Sequence, residues 1–539
     1  MQDQTGGGAA EPERLDVAPV NAKKNRDLYQ ARTKIHPKRA SGTFRRFKWL
    51  VMLITLGIYY LTPWLRWDRG PFAPDQAVLV DLANRRFYFF FIEVWPQEFF
   101  YIAGLLVMAG IGLFLITSAV GRAWCGYTCP QTVWVDLFLV VERFFEGDRN
   151  ARIKLDAAPM SSSKAIRRTA KHVTWLVIAV ATGGAWIFYF ADAPTLLRAF
   201  VAGDAPYVAY ATVAILTATT YVLGGLMREQ VCTYMCPWPR IQGAMLDEHS
   251  LIVTYNDWRG EARTRHRKTQ LAEGAPVGDC VDCNACVAVC PMGIDIRDGQ
   301  QMECITCALC IDACDGVMDK LGLERGLIAY STLDKYNRNM ALSGARRIDR
   351  DGDQVWDTAS IDPTRIRVAG SGLIAQVART DWRTILRPRT IVYALIYGVI
   401  GLSLLSLLFL RDRIDVSVSH DRNPVFVRLS SGAIRNGYTL KVSNMEASPR
   451  RFGVTVEGLG LVTTSLAGEE GAQGETFYLD VGPDQTRTVH VFLTKHSKLI
   501  KATQTDFRFT VYEVGGKERA FKAAKFEAPA DSILKGEAQ

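Results

Sequence analysis

The fold class predicted from this 539-residue chain is an α-helical membrane protein with five transmembrane helices, a cysteine-rich soluble module before the last of them, and a C-terminal β-sandwich. Three observations predict it. Five apolar runs are each long enough to cross a bilayer. Eight of the twelve cysteines crowd between Cys280 and Cys314. After residue 412 the chain turns to short alternating apolar–polar runs broken by turn residues.

The apolar runs are Trp49–Trp67, Phe99–Val120, His172–Ala191, Tyr207–Leu226 and Thr390–Leu410. Each offers about 20 residues, roughly 30 Å of helix, which matches the hydrocarbon core of a bilayer. Phe87–Trp95 is too short to span and carries Glu93; its aromatics suit a membrane interface. Residues 1–43 are polar and basic, lack the apolar core of a cleavable signal peptide, and read as a disordered arm.

Basic residues set the expected orientation. Ten Lys or Arg lie between Lys23 and Lys48, and nine between Arg122 and Lys171, against four in Arg66–Gln97 and one in Asp192–Pro206. The positive-inside rule therefore puts the N-terminus in the cytoplasm and the two helical-hairpin connections outside. The net charge of +9 follows the membrane rather than any nucleic-acid surface, and no helix-turn-helix pattern is present. The expected division is a basic cytoplasmic arm at 1–43, a four-helix membrane domain at 44–230, a cytoplasmic region at 231–389 with its cysteine module at 273–320, a fifth span at 390–411, and an external domain at 412–539.

The module reads CVDCNACVAVCP and then CITCALCIDAC, two copies of C-x2-C-x2-C-x3-C. Three thiolates within seven residues can wrap one face of a cubane cluster if the chain loops tightly around it. Zinc sites favour two C-x2-C pairs, and disulfides need an oxidising compartment. The spacing resembles an eight-iron bacterial ferredoxin module. On that pattern one [4Fe-4S] cluster takes Cys280, Cys283, Cys286 and Cys314, and the other takes Cys304, Cys307, Cys310 and Cys290. Pro291 follows Cys290 as the pattern expects; Asp315 replaces the second proline, at a turn position.

The remaining four cysteines form a pair of pairs. Cys125 and Cys129 follow the second run, Cys232 and Cys236 the fourth, and both read C-x-Y-x-C-P. Four residues make one helical turn, so each pair shares a face. Packed hairpins would bring four thiols together at the membrane edge, a soft donor set for Cu(I), zinc or an iron–sulfur cluster. Met235 is a further thioether nearby. Trp124, Tyr127 and Tyr234 read as interfacial anchors.

In the tail, Val425–Leu429, Tyr438–Val442, Phe452–Val456, Phe477–Val481, Thr488–Leu493 and Phe507–Val511 read as strands of an immunoglobulin-like sandwich. His420, His490 and His496 are scattered and point to no metal site. Asp349, Asp351 and Asp353 lack the Gly and Glu of a calcium loop, because Gln354 and Ser360 stand there.

Taken together, the hairpins ending in C-x3-C-P, the VTYNDWRGEAR stretch at 253–263, the two-cluster module, the last helix and the sandwich resemble the cytochrome c oxidase accessory protein family (FixG, CcoG or RdxA type) over residues 40–525. The resemblance implies a membrane iron–sulfur cupric reductase in the bacterial inner membrane. It would reduce Cu(II) to Cu(I) for assembly of a cbb-type oxidase, with Cys125, Cys129, Cys232 and Cys236 handling copper. Expected partners are copper ions, a copper chaperone or oxidase subunits, the bilayer and an electron donor not named by any Rossmann or flavin motif; a homodimer is compatible. No nucleic acid is expected. Two rivals stand beside this reading. One is a quinol-linked polyferredoxin feeding a periplasmic reductase, in which His172 would be the only histidine among the first four helices. The other is a non-enzymatic assembly scaffold working through its sandwich.

Overall fold

In the computed structural model the described residues are 14–21, 33–71, 73–275, 277–350, 353–362, 385–446, 448–468 and 476–530. They form two compact units. The first is bounded by Met1–Trp64, Val78–Leu82 and Phe99–Gly401, the second by Leu65–Ala77, Ala83–Glu98 and Leu402–Gln539.

The first unit holds α1 (Thr43–Leu61), α2 (Phe100–Val120), α3 (Pro130–Glu146), α4 (Ser162–Thr182), α5 (Tyr207–Thr220) and most of α6 (Pro388–Phe409). Among the described residues four segments are long and apolar enough to cross a membrane: Pro96–Val120, Ser162–Tyr189, Tyr207–Met227 and Pro388–Phe409. These match four of the five expected runs. The first run becomes α1, of the same 19-residue length but set six residues nearer the N-terminus. Its opening turn carries Arg45, Arg46 and Lys48, and its regular helix gives way to a 3₁₀ turn, Thr62–Trp64, that contains Pro63. Arg45 and Lys48 are both buried against Asp136 of α3, at 3.0 and 2.9 Å. Serving that ion pair fixes the charged end of α1 beside α3.

Between α5 and α6 lies the cysteine module. Two short helices, Ala285–Val289 and Leu309–Leu321, each follow one cysteine loop, and the antiparallel strands Ile252–Tyr255 and Ile328–Ser331 flank them. The module is tied to α1 through Asp312, whose carboxylate accepts from the backbone N–H groups of Phe44 (3.1 Å) and Arg45 (2.7 Å). Gly42, at the cap position of α1, has no side chain to do this, so a carboxylate from the module caps the helix instead.

In the second unit the chain after α6 forms two sheets. One orders Thr463–Leu466, Thr486–Lys495, Ile434–Asn444 and Ile414–His420, with Val427–Arg428 beside Ile434–Asn444. The other orders Thr476–Val481, Arg450–Glu457, Gln504–Glu513 and Arg519–Glu527. Alternate residues point inward, and Tyr438, Leu440, Val442, Phe452, Val454 and Val491 are wholly buried between the sheets. All six expected runs contribute to strands. Ile414–His420, Thr463–Leu466 and Arg519–Glu527 are additional. Phe87–Trp95, expected at an interface, contains a hairpin pairing Phe87 with Val94. The acidic stretch near Asp349 is also a hairpin, Arg346–Arg350 against Asp353–Asp357, with Asp351 outside the described residues.

Candidate metal centres

All twelve cysteines are free thiols. In each half of the module the residues flanking the second cysteine take the left-handed conformation. Asp282 (φ 48°) and Asn284 (φ 59°) flank Cys283; Thr306 (φ 57°) and Ala308 (φ 59°) flank Cys307. Two such residues in a row of five turn the loop back on itself, so the backbone wraps a small volume and its N–H groups can line it. The wrap costs about 1–3 kcal/mol at each non-glycine position, so a bound group has to repay it.

The eight thiols fall into two sets. Beside Cys314 stand Cys286, Cys280 and Cys283. Beside Cys290 stand Cys307 and Cys304, and Cys310 has Cys307, Cys304 and Cys290 as its nearest charged neighbours. Cys290, Cys304, Cys307 and Cys310 line one cavity, whose wall Cys286 joins. Each set thus takes three thiols from one half and the fourth from the other. Burial pushes the thiols of Cys283, Cys286, Cys290, Cys304, Cys307, Cys310 and Cys314 up, Cys290 to about 12. The charge of bound iron would reverse that, since a coordinating thiol is deprotonated. No three His, Cys, Asp or Glu side chains converge on a single-ion position among the described residues. A cubane presents four separate irons, so its thiolates stand wider than the ligands of one tetrahedral ion. Free, buried thiols in fours around a wrapped cavity therefore fit [4Fe-4S] clusters.

The C-x-Y-x-C-P pairs share one backbone form. Trp124–Thr128 and Val231–Met235 are single π turns, each closed by an i→i+5 bond: Cys129 N–H to Trp124 C=O at 2.9 Å, and Cys236 N–H to Val231 C=O at 2.8 Å. Such bulges cluster at functional sites. Cys129, Cys125 and Cys236 all act electrostatically on the Cys232 thiol, so the two pairs meet. Burial pushes Cys125 to about 11 and Cys232 to about 12. The Cys125 thiol donates to Gln242 Oε1 at 2.9 Å, and Gln242, wholly buried, donates through Nε2 to Thr117 Oγ1 at 3.1 Å.

The second module loop sits directly on the first pair. A Cβ at Gly126 would lie 2.7 Å from the Ile305 carbonyl oxygen and 3.1 Å from Cys307 Cα. Cys125 and Cys307 belong to one buried apolar core, against which Cys232, Cys290 and Cys304 also pack. Arg122 joins the two sites. It is 4% exposed, donates to the Met302 carbonyl at 2.6 Å, and its positive charge acts on both Cys125 and Cys304. Sequence reasoning passed over Arg122, Gln242 and Gly126. Arg122 lies three residues before the first cysteine of its motif, a visible hint; nothing in the sequence points to the other two.

This architecture has relatives. The chain is 61% identical to the nitrogen fixation protein FixG of Rhizobium meliloti over 96% of this chain and 97% of that one. The chain belongs to the FixG family. RdxA and RdxB of Cereibacter sphaeroides, at 48% and 49% identity, each align with 91% of this chain and with 96% and 95% of their own lengths. Family models match a 4Fe-4S dicluster domain at residues 227–333, a 4Fe-4S binding domain at 102–146, and the IG-like fold at the C-terminal of FixG at 404–529. A solved FixG-related protein from Vibrio parahaemolyticus aligns with 22% of this chain and 97% of its own, at 21% identity and a TM-score of 0.19. As a FixG-type protein the chain is an iron–sulfur oxidoreductase with an immunoglobulin-like C-terminal domain and helices that can span a membrane.

Proposed function

We propose that the chain is a membrane-bound cupric reductase of the bacterial inner membrane. Cys280, Cys283, Cys286 and Cys314 hold one [4Fe-4S] cluster, and Cys304, Cys307, Cys310 and Cys290 hold the other. Copper is the substrate, received by Cys125, Cys129, Cys232 and Cys236. The clusters supply one-electron transfer when bound. Each Cu(II) takes one electron and becomes Cu(I). The protein residues do the rest. Thiols prefer Cu(I) to Cu(II), which favours reduction at that site. Arg122 offsets the negative charge of metal-bound thiolates on both sides of the gap. Gln242, anchored by Thr117, fixes Cys125. The observation that carries the reading is the shared apolar core of Cys125 and Cys307, with the Gly126 backbone seated on the Ile305–Cys307 loop. It gives electrons a short, dry path.

On this reading the N-terminus and module face the cytoplasm, the sandwich faces the periplasm, and the Cu(I) product passes to a chaperone or oxidase subunit during cbb-type oxidase assembly. These follow from the basic-residue pattern and the sequence resemblance.

A second reading has its own support. The 4Fe-4S binding model at 102–146 contains Cys125 and Cys129 alone among the cysteines, and Cys232 and Cys236 stand beside them. A third cluster there would make the chain a relay toward another acceptor. One experiment separates the two. The native protein and a variant with all four membrane-edge cysteines changed to Ser are purified anaerobically and reduced; iron is counted and Cu(I) is followed with a chromogenic chelator. Copper reduction lost in the variant, with about eight irons per chain in both proteins, upholds the reductase. About twelve irons falling to eight supports the third cluster, and equal copper reduction by both proteins sinks the copper assignment.

A further inference from the structure

A second charged site lies apart from the cysteines, where the basic end of α4 meets the turn after α5. Its centre is Glu142 of α3, wholly buried. Arg152 donates to it at 2.7 Å, Arg228 donates to both its oxygens at 3.1 Å, and Lys171 stands 3.7 Å away. Glu146 pairs with Lys171 at 2.8 Å and Arg168 at 3.4 Å. Asp156 pairs with Arg168, with Lys34 at 2.9 Å and with His36 at 3.3 Å. Among the described residues of this network five cations (Lys34, Arg152, Arg168, Lys171, Arg228) face three carboxylates. That is an excess of two positive charges, and Arg152, Lys171 and Arg228 are each at least nine-tenths buried.

Uncompensated charge away from water is costly, so such a network calls for an anion. The space for one is present. A cavity of about 270 Å³ is lined by the cations Lys34, Arg168, Lys171 and Arg228 with the carboxylate of Glu142 among them, and by the apolar Ile35, Trp175 and Leu226. Trp175 makes the floor, with Lys171 and Arg228 over its ring at 4.8 and 5.3 Å. His172, also on the wall, is hydrogen-bonded to Tyr221 at 2.9 Å. A small carboxylate would leave the apolar wall unused. A phosphoryl group carried on an apolar tail uses both walls, and the position, at the charged end of a membrane-crossing helix, is the depth of lipid phosphates.

We propose that this cavity binds a phosphate anion, supplied by an anionic phospholipid of the surrounding leaflet, whose charge completes the Glu142 network and locks α3, α4 and the Arg228 turn together. The site is independent of the metal reading above.

The test uses the full chain, delipidated in detergent. Cardiolipin, phosphatidylglycerol, phosphatidylethanolamine and inorganic phosphate are titrated separately while the unfolding temperature is followed, and retained lipid is weighed by native mass spectrometry. Arg168→Gln and the milder Lys34→Gln, each removing a cavity cation but sparing Glu142, are compared with Arg325→Gln at an exposed pair elsewhere. Anionic lipids should raise the unfolding temperature, and each cavity variant should bind them about fivefold more weakly, with Arg325→Gln unchanged. Inorganic phosphate matching the lipids would keep the phosphate site and make its source soluble. Equal stabilisation by phosphatidylethanolamine, or cavity variants that bind anionic lipid like the native protein, would overturn the proposal.

Discussion

Changing Gly126 to Ala tests the electron path at its narrowest point. Gly126 lies in a π turn with helical backbone, so alanine costs nothing conformationally; helix preference favours it by about 1 kcal/mol. Sterics oppose it. The new methyl would meet the Ile305 carbonyl oxygen at 2.7 Å, Cys307 Cα at 3.1 Å and the Thr306 carbonyl oxygen at 3.1 Å. Comfortable contacts lie near 3.5–4.0 Å, so the loops must part by roughly 1 Å. All three neighbours are backbone and cannot rotate away. Overpacking of this kind costs about 1–3 kcal/mol, which exceeds the gain, for a net loss of about 0–2 kcal/mol. The larger effect falls on function, because the methyl drives apart the two thiol sets that electron transfer has to join. Gly316→Ala is the control: it sits in the Leu309–Leu321 helix with no atom within 4 Å of its Cβ. Reduced protein is mixed anaerobically with Cu(II), and the return of cluster absorbance is timed by stopped flow. Gly126→Ala should keep its iron and slow this step, while Gly316→Ala keeps the native rate. If Gly126→Ala retains its clusters and reacts at the native rate, the contact is not the path.

Three other outcomes follow from named contacts. Asp312→Ala removes the carboxylate that caps α1 and should cost about 1 kcal/mol, visible as faster hydrogen exchange at Phe44 and Arg45 with iron content unchanged. Burial alone would raise the pKa of Glu142, but Arg228, Arg152 and Lys171 hold it down to about 2. A depressed carboxylate stabilises the fold above its unfolded value near 4.3, and that contribution, about 3 kcal/mol, is lost as pH falls from there toward 2. Glu142→Gln should therefore lose about 3–5 kcal/mol at pH 7 and show a flatter unfolding-temperature profile below pH 4.5 than the native chain. Arg122→Gln takes a buried positive charge from beside Cys125 and Cys304. It should lower the reduction potential of the nearer centre, measured by electron paramagnetic resonance titration, without loss of iron.

How far the sequence led depended on how local each constraint was. The C-x2-C-x2-C-x3-C spacing marks the eight thiols, and the resemblance to a bacterial ferredoxin module is what divides them into two sets with the fourth thiol exchanged. The left-handed turns were half visible: Asp282 and Asn284 are residues that accept φ > 0, whereas Thr306 and Ala308 are not. The repeated C-x-Y-x-C-P was legible as a repeat, but the i→i+5 bond that shapes both copies has no composition signature. Hydropathy located α2, α4, α5 and α6, and overextended α1 because it counted apolar residues beyond Pro63. Arg519–Glu527 escaped because the exposed Lys522 and Lys525 interrupt its apolar pattern, as charges on an edge strand do. The Glu142 network and the seat of Gly126 on Ile305 were beyond reach. Each joins groups far apart in the chain, and burial of charge at a helix end reads in sequence as ordinary topology.

The placement of the cysteines in two apolar cores implies an order of transfer. Cys280, Cys286 and Cys314 are buried with Val253, Tyr255, Leu327 and Ile328 in one core. Cys125 and Cys307 are buried in another, with Val289, Ile305 and Leu309. Cys304 packs against both, and Cys310 packs against the first while lining the cavity that holds the second thiol set. Of the membrane-edge cysteines, Cys125 and Cys232 pack in the second core. On the proposed reading the second set would stand between the first set and the membrane edge. Arg122, whose charge acts on both Cys304 and Cys125, would offset thiolate charge on both sides of that gap. Cys304, packed against both cores, makes the second thiol set the link between the first set and the membrane motif on the proposed reading.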